Sequence, residues 1–194
     1  QIKDIESKLL IENLFFAEGF MYRYQPQLIE VIELIKDNKI GKIISLESVF
    51  GIDIMNKKNL FGFKKIKKID KNKRIYNKNL GGGAILDLGC YPVSISQLVA
   101  SLIPGIDINN FQLTNKKKEI GSTDVDIDSY AELQFDKKFT CIIAASFKKN
   151  LGKKTKIIGE EGEILIENTW LGDPSTIKIK AQKNYEINTK INDN

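Results

Sequence analysis

The chain has 194 residues, 42% of them hydrophobic and 28% charged, with a formal net charge of +5 at pH 7; this composition excludes a disordered chain and predicts a folded core, in one compact domain or two small ones. It contains no histidine and only two cysteines, Cys90 and Cys141, without a CxxC spacing, which excludes Ser-His-Asp and Cys-His nucleophile pairs, HExxH metal sites, zinc knuckles and a disulfide framework. No apolar run reaches the roughly 20 residues needed to cross a bilayer and no secretory signal pattern is present, so a cytoplasmic protein is expected.

Residues 2–13 read as the tail of a helix, and LFFAEGF at 14–20 as a short apolar strand. Gln25-Pro26, followed by Leu28, Val31, Ile32 and Ile35 at helical spacing and by Gly41, predicts a helix over 26–38. KIISLESVFGID at 42–53 alternates as a strand does. The stretch 54–80 has no clean period and carries ten Lys and Arg residues against the single Asp70; it reads as a long solvated loop, of the kind that forms lids or binding surfaces. A second helix is predicted over 82–102, with Leu88, Ile95, Leu98, Val99 and Leu102 near one face and Pro104-Gly105 as its stop. Pro92 should kink it, because the carbonyl of Leu88 loses its usual partner. From Ile108 onward FQLTNKKKE, SYAELQFD, FTCIIAASF, KTKIIG, GEILIEN and STIKIKAQ are short, β-branched and separated by turns. Neighbours joined so closely must pair antiparallel. The expected fold class is α+β: an open, mostly antiparallel β-sheet with helices on one face.

Residues 81–93, GGGAILDLGCYPV, carry the most informative chemistry. Residues four apart on a helix share a face, so Asp87 and Tyr91 are placed to present a carboxylate and a phenol side by side. Glycines at a helix entrance expose backbone N–H groups and let another molecule come close. On the residues alone two readings stay open. One is a polar pocket; the other is a tight loop entering a buried helix, with Asp87 satisfying local N–H groups and Tyr91 packing as an amphipathic core residue. The run lacks the GxGxxG order and the βαβ surroundings of a dinucleotide-binding turn. Cys90 reads as a small buried residue rather than a nucleophile.

Three stretches, EGFMYRYQPQLIEVIELIKDNKIGKIISLESVFG, KRIYNKNLGGGAILDLGCYPV and TKIIGEEGEILIEN, together closely resemble the substrate half of the Gfo/Idh/MocA oxidoreductases, in the branch of dihydrodiol dehydrogenase and glucose-fructose oxidoreductase. The resemblance spans residues 9–168. It implies an NAD(P)-dependent dehydrogenase acting on CH-OH groups of a sugar or cyclic diol, with Tyr91 and Asp87 as the catalytic residues and Tyr91 moving the proton. It also implies that Tyr22, Arg23 and Arg74 contact substrate and that Glu18, Gly82 and Gly83 lie at the cofactor. Gln25 stands where many members carry histidine. Ordinary tyrosine ionises near a pKa of about 10, and the family supplies a lysine, from a Glu-Lys-Pro motif, that favours the phenolate. Neither that motif nor a Gly-rich βαβ unit occurs in these residues. The resemblance therefore implies NAD or NADP held mainly by a nucleotide-binding domain not contained here. Residues 1–13 would be its remnant, and 14–194 an α+β substrate and oligomerisation domain, inactive alone. A homo-oligomer formed through the open sheet face is implied as well.

The charge in 54–80 admits other readings. It could steer an anionic ligand or be plain solvated surface. With Phe61, Phe63 and Tyr76 among its lysines it also has the parts of a single-strand stacking surface. No nucleic-acid-reading module is recognisable and the rest of the chain is net acidic, so neither nucleic acid nor a membrane is expected as a partner. A non-catalytic binding or assembly module is the remaining alternative, since some regulatory members of the family keep the fold without turnover.

Overall fold

Alternation of buried and half-buried residues over 126–135, 139–146 and 155–159 builds the middle of one large sheet, and two helices close one side of it. The computed structural model describes residues 2–12, 14–58, 62–171 and 175–189. The chain runs through α1 (Ile2–Glu12), α2 (Pro26–Lys36), β1 (Ile43–Gly51), a short hairpin of β2 (Asn56–Lys58) and β3 (Lys64–Ile66), and α3 (Cys90–Ser101). Seven strands follow: β4 (Phe111–Ile120), β5 (Asp126–Phe135), β6 (Phe139–Ser146), β7 (Thr155–Gly159), β8 (Gly162–Ile166), β9 (Ser175–Lys180) and β10 (Tyr185–Thr189). Eight strands form a single sheet in the order β10-β9-β8-β7-β1-β6-β5-β4. All pairings in it are antiparallel except β1 with β6, which run parallel.

The core lies between this sheet and the helices. Leu46, Ser48 and Phe50 of β1 point inward, as do Ile127, Ala131, Leu133 and Phe135 of β5 and Phe139, Cys141, Ile143 and Ala145 of β6. Ile157, Ile164, Ile166, Ile177 and Ile179 carry the same face to the far strands. Against it α2 sets Leu28, Val31, Leu34 and Ile35, and α3 sets Ile95, Val99 and Ala100. Among the described residues, no helix packs on the opposite face. There Val49, Ile142, Ile158 and Leu165 stand half-buried, among the ion pairs of Glu163 with Lys156 (2.6 Å) and Lys180 (2.8 Å). The arrangement is the expected α+β open sheet.

Several details differ from the sequence reading, each for a physical reason. Residues 14–20 are not a strand: they have no ladder partner among the described residues, and Leu14, Phe15 and Phe16 are exposed. β-propensity measures fit to a neighbouring strand, and none lies beside this segment. The second helix opens as a π-helical turn, Ile85–Gly89, and becomes α-helical at Cys90. The wider turn lies directly before Pro92, where the i→i−4 ladder is interrupted. The 54–80 loop holds the β2–β3 hairpin and two 3-10 turns, Arg74–Tyr76 and Lys78–Leu80. β10 was not foreseen, and neither was the parallel pairing of β1 with β6. Within the helical stretch Lys78–Ser101, an 18-residue window with a mean hydropathy of 1.3 is apolar enough by length and composition to cross a membrane. It is mostly buried, and its α3 part packs on β1 and β6 as a core helix.

Candidate functional site

Five aromatic rings from four segments meet where α3 begins. Tyr91 is half-buried among Phe20 (ring centroids 5.4 Å apart), Phe50 (5.5 Å), Trp170 (5.8 Å) and Tyr22 (6.1 Å). Trp170, wholly buried, stacks on Phe50 and meets Tyr22 edge-on at 5.2 Å. Its indole N–H donates to the carbonyl of Val49 at 3.0 Å. Such offset and edge-to-face contacts fix ring orientation as well as burying area. The Tyr91 ring is therefore held on four sides, while its hydroxyl has no hydrogen-bond partner among the described residues.

One turn before it, Asp87 forms an ion pair with Arg74. The carboxylate is largely covered and the guanidinium half-exposed, at 21% and 54% relative exposure. Sequence spacing had placed Asp87 beside Tyr91 but gave no sign of this partner. Burial pushes the Tyr91 phenol above the usual tyrosine range, and the neighbouring Cys90, Asp87 and Glu18 push it the same way. Cys90 is likewise raised, first by burial. Among the described residues, each charge that acts on the phenol favours its neutral form.

Tyr22 and Arg23 converge on a residue that the sequence reading missed. The Tyr22 hydroxyl donates to Ser94 Oγ at 2.9 Å, and Arg23 donates to the same oxygen through Nη2 (2.8 Å) and Nε (3.2 Å) and to the Ser94 carbonyl (3.3 Å). Arg23 also lies over the Phe20 ring, 5.9 Å from its centroid. Tyr22 is wholly buried and raised in pKa, mainly by desolvation. Ser94 follows Tyr91 by three positions and so shares its face of α3; that spacing was the available signal. Trp170, the single tryptophan of the chain, was the signal for the aromatic wall. Glu18 is exposed, close enough to act on Tyr91, and does not pair with Arg23.

The glycine block is closed on itself. The N–H groups of Gly81, Gly82 and Gly83 donate to the carbonyls of Lys78 (3.2 Å), Asn77 (2.9 Å) and Ile75 (3.0 Å). The expectation of free N–H groups at this helix entrance is not met. A Cβ on Gly82 would lie 2.6 Å from the Arg74 carbonyl, and on Gly83, at φ +118°, 2.2 Å from Asp126 Oδ1. Asp126 in turn accepts from the Ile85 N–H at 2.8 Å. The close approach these glycines permit is to the chain itself, and it seats the loop that carries Arg74. Tyr76, one of the aromatics considered for base stacking, is buried edge-on to Phe147 at 6.1 Å; Phe61 lies outside the described residues. A groove of about 850 Å³ runs behind the block, lined by Gly82, Ile85, Val93, Leu113, Lys116 and Lys118. Neither Asp87 nor Tyr91 lines it, and the half-buried pair lies instead at the aromatic wall.

Comparison with known proteins bears on this wall. Residues 28–165 match the model of the GFO/IDH/MocA C-terminal domain. Trans-1,2-dihydrobenzene-1,2-diol dehydrogenase of Xenopus tropicalis is 25% identical over 187 residues, covering 96% of this chain and 50% of that protein. The Xenopus laevis enzyme of the same name is 24% identical over 94% of this chain and 49% of its own length. Among solved structures, the 3-ketoreductase KijD10 of Actinomadura kijaniata, in complex with NADP and TDP-benzene, superposes with a TM-score of 0.78 at 18% identity, over 97% of this chain and 53% of its own. An aldose-aldose oxidoreductase of Caulobacter crescentus, complexed with glycerol, superposes at 0.66 and 18% identity, over 91% and 48%. The chain thus spans about half the length of the curated relatives it matches. With the match covering most of its sheet and both helices packed on that sheet, the chain belongs to the GFO/IDH/MocA C-terminal domain family.

Proposed function

We propose that the protein of which this chain forms part transfers a hydride between NAD(P) and a hydroxyl-bearing or carbonyl carbon of a sugar or cyclic diol, and that this chain supplies the substrate wall. The observation that carries the reading is Tyr91: a phenol clamped by four rings, its hydroxyl left without an internal partner, beside the Asp87–Arg74 ion pair. The diol dehydrogenase and NADP-bound ketoreductase relatives support the reaction class.

The residues present suit only one end of the cofactor. A nicotinamide, when bound, gives or takes the hydride; the three glycine N–H groups are engaged internally, so this chain has no turn there to cradle its phosphates. In this reading Tyr91 delivers or accepts the proton at the substrate oxygen, and Asp87 holds Arg74 so that its remaining N–H groups meet substrate oxygens. Arg23, locked by Ser94, borders the same wall. Since Asp87 and Glu18 both favour the neutral phenol, the phenolate requires a cation from other polypeptide. Glu18 then faces that cation and the cofactor. The open sheet face, with its half-buried Val49, Ile142, Ile158 and Leu165, is the surface that meets a second copy.

The reading is tested by following nicotinamide absorbance while the complete protein is offered aldoses and trans-cyclic diols. Turnover with at least one of these classes is expected. A complete protein that binds NADP(H) yet oxidises or reduces no such compound contradicts it.

A further inference from the structure

We propose that Gln27 is a positioning residue that holds Trp170, and through it the Tyr91 ring, in working orientation; the inference rests on the role assigned to Tyr91 above. Gln27 lies in the first turn of α2 and is 3% exposed. The two hydrogens of its amide nitrogen are shared among three acceptors, Gln25 Oε1 (2.8 Å) and, across 141 and 142 positions of sequence, the carbonyls of Asn168 (3.0 Å) and Thr169 (3.1 Å). These are the two residues directly before Trp170.

The turn at 168–170 is gripped from two sides. On the sheet side, Thr169 donates from its hydroxyl to Thr155 Oγ1 (3.1 Å), which bonds Ser48 Oγ (2.9 Å), and from its N–H to the Lys153 carbonyl (2.7 Å). On the helix side, Gln27 reaches its backbone carbonyls from α2. Gln27 Oε1 and Asn168 Oδ1 are buried and unpartnered, so the whole polar contribution of Gln27 goes through its NH2 group. A buried carboxamide used at one end only is an expensive way to fill space, which favours a role in setting geometry. The same NH2 group also ties Gln25, and hence the Tyr22–Arg23 segment, to the Trp170 turn. One side chain thereby connects both flanks of the aromatic cage.

Trp170 is the only tryptophan, so its emission reports the turn without interference. In Gln27→Met, which keeps length and loses the donors, Trp170 emission moves to longer wavelength with faster depolarisation. Tyr91, less well enclosed, titrates lower than in the parent chain. In the complete protein the same change lowers kcat by roughly tenfold, as a small misplacement of a reacting group does, with the KM for cofactor unaltered. Gln27→Glu gives a second arm, because its side chain can donate to those carbonyls only when protonated. Its Trp170 emission is parent-like at acid pH and shifted at neutral pH. Should Gln27→Met fail to fold, that pH dependence decides. Emission and Tyr91 titration unchanged in a folded Gln27→Met, or emission independent of pH in Gln27→Glu, overturns the proposal. If Tyr91→Phe abolishes turnover while Gln27→Met does not lower kcat, positioning fails and the function stands; if Tyr91→Phe leaves turnover intact, the function itself fails, whatever the fluorescence shows.

Discussion

Replacing Tyr91 by Phe in the complete protein lowers kcat by roughly 10²- to 10⁴-fold, the contribution of a positioned general acid or base, while affinity for NAD(P) changes little. The substitution removes only the hydroxyl. The ring contacts to Phe20, Tyr22, Phe50 and Trp170 survive, and no hydrogen bond within the described residues is lost. Stability should therefore hold, and the lost rate is attributable to the missing proton. Steady-state kinetics with a parallel cofactor titration separates the possibilities. A variant with parental kcat, or one that no longer binds cofactor, contradicts the assignment.

Trp170→Ala is expected to cost about 3–5 kcal/mol of folding stability, the range for deleting a buried large aromatic. The indole is wholly buried, touches Tyr22, Phe50 and Tyr91, and satisfies the Val49 carbonyl. Its removal opens a cavity and leaves that carbonyl unpaired. Since a domain of this size has only about 5–15 kcal/mol to lose, the variant sits near its unfolding threshold at room temperature. Urea unfolding followed by circular dichroism measures the change. A loss below about 1 kcal/mol, well under the cavity range, would mean that the indole is not the keystone of the cage. Trp170→Phe retains part of the packing and should fall between.

The parts of the fold that depend on local period were legible. α2 was readable from Pro26 and the Leu28, Val31, Ile35 spacing, and six of the seven late strands from their alternation and turns. The missed features need contacts across long stretches of chain. The parallel pairing of β1 with β6 joins strands nearly a hundred positions apart, and no turn announces it. β10, YEINT, is short and polar, as an edge strand is. LFFAEGF has strand composition, but composition cannot supply a neighbour to pair with. At the site, Asp87 and Tyr91 were legible because i, i+4 spacing is local. The Arg74 partner of Asp87, the Ser94 hub and the Trp170 wall were not, since each is brought in by tertiary packing. The glycines misled in an instructive way: their permissiveness was read correctly, but the group that comes close is the chain's own backbone and Asp126 rather than an incoming ligand.

The most direct measurement is the titration of the Tyr91 phenol, followed by NMR with ring-labelled tyrosine and assigned by its loss in Tyr91→Phe. In the 194-residue chain alone the midpoint should lie above the ordinary tyrosine value of about 10, because burial, Cys90, Asp87 and Glu18 all act in that direction. In the complete protein with oxidised cofactor bound it should fall well below that value, as an added cation takes hold of the phenolate. A midpoint that is the same in both, or one already depressed in the chain alone, would contradict the view that this wall is half of a proton-transfer site.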